Sequence, residues 1–210
     1  MTAPAVARRT PRWRQRMFDT ITLLGEVLWT GVLVSLASLP LVTMPAALAA
    51  GIRHMERHID AREDGVRLFI GEVRRALVPG GVIVGLGLVA LTGILALQSM
   101  VANVAGVPGA QGLGLAVLVL LWFLGTLVVE VCASWAPGVR WRVAMVDGAA
   151  RLIGSPKEGA LIALAVALTG IAVWQLPPLV IPALGCLAFA AAVVGVRRRR
   201  PEEEAPAEHR

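Results

Sequence analysis

The sequence predicts an all-α, polytopic transmembrane helix bundle, and three observations predict it. Residues 76–129 and 159–196 contain no Asp, Glu, Lys or Arg. Each tract is long enough for two helices of about 20 residues, the length that crosses a hydrocarbon core of roughly 30 Å. The chain is 57% hydrophobic and only 16% charged, with a mean hydropathy of +0.73, far from the roughly 25% charged residues of soluble domains. All twenty basic residues fall into four stretches that flank the apolar tracts. Three regions follow: a basic N-terminal tail (1–20), a transmembrane helical domain (21–196) and a charged, disordered C-terminal tail (197–210).

The first span covers about residues 21–39 and meets Pro40 and Pro45, which one straight helix would not carry five residues apart. A second helix therefore starts near Thr43, with Pro45 in its first turn. Leu48, Ile52, Met55 and Ile59 recur at helical spacing, with Arg53, Glu56, Arg57 and Asp60 opposite, so this arm starts apolar and ends amphipathic. Its uncharged part, residues 41–52, reaches only about 18 Å and has to sit within the bundle or beside a wet cavity. Val66, Phe69, Ile70, Val73 and Leu77 form another stripe, ringed by Arg67, Arg74 and Arg75, as in a helix lying at the membrane surface.

Two long spans follow at about 81–101 and 113–135, joined by an uncharged, turn-rich connector. Residues 137–158 bring charge back around a third stripe, Val139, Val143, Val146, Ala150 and Ile153. The last spans, about 160–174 and 179–196, are separated by Gln175, Leu176, Pro177 and Pro178, a tight hairpin. Lys and Arg number five in the N-terminal tail, six in 51–79, four in 137–158 and five after 196, against none in the connectors near Pro108 and Pro177. Positive residues stay cytoplasmic. The expectation is six membrane segments with both termini cytoplasmic; a five-segment version needs an external N-terminus, which its five arginines oppose. Reading the basic start as a cleaved signal peptide is disfavoured by the length of the apolar stretch and the four spans after it.

The composition also excludes function classes. The net charge of +6 flanks apolar spans, where the lipid bilayer supplies the counter-charge, so nucleic-acid binding is not expected. There is no Ser/His/Asp or Cys/His arrangement, HExxH or P-loop, hence no expected enzyme activity and no cofactor. Cys132 and Cys186 lie in separate apolar spans and form no ligand-like pair. His54 and His58 share a helix face without a third ligand, which reads as a solvated charged helix and no metal site. Gly81 and Gly85 form GxxxG, a close-packing motif rather than the nucleotide loop that Gly85 and Gly87 superficially offer. Arg197, Arg198, Arg199 and Arg200 are expected to anchor the last span against anionic lipid.

Only Glu26 and Glu130 place ionisable groups within apolar spans, where a charge costs about 2.5–3.5 kcal/mol on insertion scales. They lie at comparable depth, about 7 Å from the cytoplasmic ends of their spans. One reading has both facing a single cytoplasm-side cavity, sharing a proton or pairing with Arg16, Arg140 or Arg142. The other has both reaching the headgroups.

The segment LPLVTMPAALAA (39–50), with Pro40, Thr43 and the small-residue run Ala46 to Ala50 before Arg53 to Arg57, resembles the signature of the YesL family of small bacterial membrane proteins. FIGEVRRAL (69–77) and DGAARLIGSPKEGALIAL (147–164) are similar to the family's basic amphipathic piece and its cytoplasmic helix before the penultimate span. Members often carry Asn early in the first span, where this chain has Glu26. The resemblance implies a link to carbohydrate uptake, since relatives are often associated with sugar ABC transporters, and it supplies no catalytic residues. Together with a residue usage of the GC-rich bacterial kind, it places the chain in the plasma (inner) membrane. Two functions follow as expectations: a non-catalytic accessory protein that partners a transporter component, or a small transporter or channel, oligomerising if need be, that uses Glu26 and Glu130.

Overall fold

A computed structural model describes residues 12–60, 65–106 and 108–204. Among the described residues eight α-helices follow one another: α1 (Arg12–Ala37), α2 (Met44–Ile59), α3 (Val66–Ala76), α4 (Val82–Val104), α5 (Ala110–Ser134), α6 (Trp141–Gly154), α7 (Pro156–Gln175) and α8 (Val180–Glu204). No strand occurs among the described residues. Among the described residues four segments are long and apolar enough to cross a membrane, Val82–Val104, Ala110–Ser134, Pro156–Gln175 and Pro177–Arg199, and a shorter apolar helix covers Ile21–Ala37.

The bend between α1 and α2 forms where the two prolines require it. After Ala37 the chain turns through Pro40 into a single 3-10 turn, Leu41–Thr43, and Pro45 opens α2, where its missing N–H would have had no partner anyway. The Thr43 hydroxyl lies 2.5 Å from the Ala37 carbonyl and 2.9 Å from that of Pro40. It therefore serves the free end of α1 and the turn together. The Pro40 and Thr43 element singled out in the sequence is thus the staple of this corner. Thr43→Val, which keeps the shape and removes the donor, is expected to cost about 1 kcal/mol, read as a lower unfolding midpoint in detergent.

α2 occupies the centre. Its residues from Pro45 through Ile52, then His54, Met55 and Glu56, are all buried, packed by α1, α3, α5 and α8. Lipid tails give no hydrophobic drive for helix association, so close van der Waals contact must hold the bundle together. Ala46, Ala47, Ala49, Ala50 and Gly51 make α2 thin enough for neighbours on every side. The short apolar arm thus sits within the bundle. Its second half departs from the solvated charged face read in the sequence: His54 and Glu56 are 1% and 6% exposed. Helices from both sides close over them, and both are paired, as described below.

α1 crosses α8 at two glycines. A Cβ on Gly185 would run into the Val27 carbonyl, and one on Gly31 into that of Ile181. α4 lies at the periphery, with Gly85 its only buried residue, seated against the Val42 carbonyl. Close packing is therefore what the GxxxG motif does here. The rest of α4 turns Ile83, Leu86, Leu97 and Met100 outward, the surface lipid requires.

Between α3 and α4 the helix widens into a π turn, Leu77–Gly81, where Pro79 cannot donate a backbone hydrogen bond. Gly80 takes φ 120°, a conformation closed to side chains bearing a Cβ. The Trp141 indole N–H donates to the Ala76 carbonyl at 2.8 Å, and Trp141 stacks on Trp135 at 5.9 Å. α6 thereby turns Trp141, Ala144 and Gly148 toward the bundle. Its apolar stripe faces the other way, with Val143, Val146 and Ile153 all exposed.

α8 continues past Val196 to Glu204. The tail boundary drawn at residue 197 therefore falls inside a helix, and residues 205–210 lie outside those described. α1 likewise begins at Arg12, within the expected N-terminal tail, whose Arg8 and Arg9 also lie outside the described residues.

Candidate functional site

The charged residues on α2, α3, α5, α7 and α8 meet at one end of the bundle. Glu130, one turn before the end of α5, is fully buried. Arg198 on α8 reaches it with two parallel hydrogen bonds, Nη1 to Oε2 at 2.7 Å and Nη2 to Oε1 at 2.9 Å. This fork-to-fork geometry uses guanidinium planarity, which a lysine could not reproduce. The Nε of Arg198 donates to Glu158, a carboxylate in the first turn of α7, where the helix dipole favours negative charge. One arginine thus ties three helices together.

A second set lies beside it. Glu56 accepts Arg53 Nη1 at 3.2 Å and pairs with Arg199 at 2.9 Å. The other guanidinium nitrogens of Arg53 donate to the Trp135 carbonyl, at 3.0 Å from Nε and 2.7 Å from Nη2. Trp135 caps the C-terminus of α5, so Arg53 satisfies a carbonyl that has no helical partner. Between the two sets lies a cavity of about 440 Å³, lined by Arg53, Arg151, Arg197, Arg198 and Arg199 against Glu56 and Glu158. Its walls are positive in excess.

Arg57 pairs with Glu72 and joins α2 to α3. Burial pushes the Glu72 carboxyl above its usual range, with Arg57 pulling in the opposite direction. A raised pKa in the folded protein means that the folded state binds this proton more tightly. The favourable contribution is full below the unfolded value and is lost as pH rises through the folded one. Wild type is therefore expected to lose stability relative to Glu72→Gln as pH is raised upward from about 4.5, which thermal unfolding of both proteins across a pH series would measure.

Glu26 and Glu130 do not meet. Glu26 on α1 contacts His54 on α2, Oε1 to Nε2 at 2.7 Å. With Glu26 ionised, Nε2 carries the proton, because a carboxylate only accepts. Nδ1 is left without a partner, and the ring packs edge-on against Phe69 at 6.3 Å. Glu130 is taken by Arg198 rather than by Arg140 or Arg142, and the side chain of Arg16 lies outside those described. The shared-cavity reading is thus corrected to two separate pairs, and the headgroup reading fails for Glu130, which is sealed inside.

The lipid-anchor role expected of Arg197 to Arg200 divides in the same way. Arg198 and Arg199 turn to carboxylates, Arg197 is exposed at the cavity wall, and the side chain of Arg200 lies outside those described. Arg198 was legible in principle. Leu184, Ala188, Ala191, Gly195 and Arg198 follow at spacings of four, three, four and three, so the core-facing stripe of α8 runs straight into the arginine block. Glu56 and Glu72 had no comparable signal.

Among the described residues no three His, Cys, Asp or Glu side chains gather as a metal set, and Cys132 and Cys186 are free. Comparison with family models, curated proteins and solved structures found no match.

Proposed function

We propose that the chain is a non-catalytic accessory or regulatory protein of the bacterial plasma membrane that works beside a carbohydrate uptake system of the ABC type. In this reading six segments cross or enter the bilayer, both termini are cytoplasmic, and the end carrying the ion pairs faces the cytoplasm. The observation that carries the accessory role is the Glu130 and Arg198 pair: the most deeply buried carboxylate among the described residues is spent on joining α5, α7 and α8. A carboxylate shut from solvent and held by two parallel bonds serves to hold helices together. The outward apolar face of α6, Val143, Val146 and Ile153, then offers a partner protein a surface beside the membrane. The carbohydrate part of the proposal rests on the resemblance to the YesL family.

Deleting the gene and measuring sugar uptake, with pull-down of the full chain from native membranes, tests this reading. Uptake of at least one sugar is expected to fall and a transporter component to co-purify. Unchanged uptake across many sugars with no co-purifying protein would overturn it. The arginine-walled cavity of about 440 Å³ favours a second reading, a small transporter or channel, in which Glu26 and Glu130 act from separate pairs beside that cavity and not within it. That reading requires solute flux in proteoliposomes that slows in Glu26→Gln and Glu130→Gln. Reporter fusions at Arg9, Arg62, Pro108 and Arg199 test the orientation.

A further inference from the structure

Two arginines at the start of α6, Arg140 before it and Arg142 within it, stand outside the ion-pair network, and an apolar groove opens beside them. Arg140 and Arg142 are exposed, and neither pairs with a carboxylate among the described residues. They flank the start of α6, which has no side-chain cap and no acidic residue in its first turn. The opening N–H groups of a helix have no intrahelical acceptor and carry the positive end of its dipole. The Val143 N–H is taken by the Arg140 carbonyl, so two guanidinium groups and the first two N–H groups of an uncapped helix concentrate positive charge at one point, the combination that binds phosphate.

The groove runs from this point between α4 and α5. Its volume is about 730 Å³ and its walls include Ile83, Leu88, Leu91, Leu124 and Leu127, with Arg140 and Arg142 at its end. That volume falls within the roughly 300–1,000 Å³ of sites that enclose a small ligand. Along α4, Ile83 to Leu91 corresponds to a rise of about 12 Å, so the groove is an elongated slot. Gly87 lines it, and a Cβ there would meet nothing within 4 Å, so a larger side chain has room to enter the slot. The groove lies on the side of the bundle where α4 exposes its apolar residues, so lipid is the neighbour that reaches it.

We propose that this groove is a specific site for one anionic phospholipid, its phosphate held by Arg140, Arg142 and the start of α6, and an acyl chain lying between α4 and α5. Charge selects the headgroup, because two uncompensated guanidiniums leave a zwitterionic lipid with an ammonium facing positive charge. Shape selects an acyl chain over a soluble phosphate, because all but one end of the slot is apolar. Basic recesses between transmembrane helices on the cytoplasmic side bind anionic headgroups on the same principle.

Native mass spectrometry of the full chain in mild detergent, with equimolar phosphatidylglycerol and phosphatidylethanolamine added, tests the site. Wild type is expected to retain one phosphatidylglycerol severalfold more than phosphatidylethanolamine. Arg140→Gln with Arg142→Gln is expected to abolish the preference. Arg67→Gln with Arg75→Gln, which removes the same charge from exposed positions on α3, should leave it intact. Gly87→Phe keeps both arginines and fills the slot, so it should lower retention of both lipids, and it decides the matter should the arginine variant fail to fold. Equal retention of the two lipids by wild type, persistence of the preference in the arginine variant, unchanged retention in Gly87→Phe, or a second copy of the chain in place of lipid would each overturn the proposal.

Discussion

Arg198→Ala is expected to be among the most damaging single changes in this protein. It would leave Glu130 charged at 0% exposure with no other cation within the pairs that α5 makes. Removing one partner of a buried ion pair costs about 3–5 kcal/mol, which for a chain of this size lowers an apparent Tm by roughly 6–20 °C. Arg198→Lys should recover only part of the loss, since an ammonium cannot reproduce the two parallel bonds. Replacing both members, Glu130→Gln with Arg198→Met, should recover most of it, because the penalty belongs to the orphaned charge and not to the absent attraction. Glu158, the second acceptor, is 32% exposed and can be solvated when Arg198 is gone. Thermal unfolding of the four proteins in one detergent would decide the matter. A double variant no better than Arg198→Ala would show that the loss does not come from the orphaned Glu130 charge.

Gly185→Leu should be comparably severe by a different route. The Cβ of any larger residue would meet the Val27 carbonyl and the backbone of Gly31 on α1. Backbone cannot rotate away as a side chain can, so the two helices must separate along their contact. Overpacking within a well-packed core costs about 1–3 kcal/mol, and here the obstruction is a rigid carbonyl on the helix that α8 uses as its main support. Gly170→Leu on α7 is the control, since a Cβ there meets nothing within 4 Å. The expected result is a large drop in unfolding midpoint for the first variant and little change for the second. Equal midpoints would mean that α1 and α8 are not in contact.

The helical, membrane-embedded character of the chain was legible because charge-free tracts have one physical explanation. The corner at Pro40 and Thr43 was legible because proline restricts where a helix begins. The long spans agree with the expected ones to within a few residues, since apolar length and hairpin residues mark both ends. The interior was less legible. Helix period alone put Glu56 on a wet face, because a single helix does not reveal how many neighbours surround it. Burial of α2 is set by α1, α5 and α8 arriving from distant parts of the chain. Partner choice failed for Glu130 for a related reason: Arg140 and Arg142 are nearer in sequence, while Arg198 is brought in by a helix that continues where the apolar run stops. The stripe on α6 had a helical period but no sign of which way it would face; it turns outward, because Trp141 is drawn inward by Trp135 and the Ala76 carbonyl.

The bond between Arg198 and Glu130 also orders the steps by which the bundle is made. Synthesis delivers the α5 carboxylate to the bilayer well before its counter-ion on α8 exists. Until the final helix has been translated, that acid lacks the guanidinium that neutralises it in the finished fold. Closure of this part of the bundle therefore waits for α8 to leave the ribosome, and a product cut short before residue 198 would carry Glu130 without the guanidinium that the finished fold supplies.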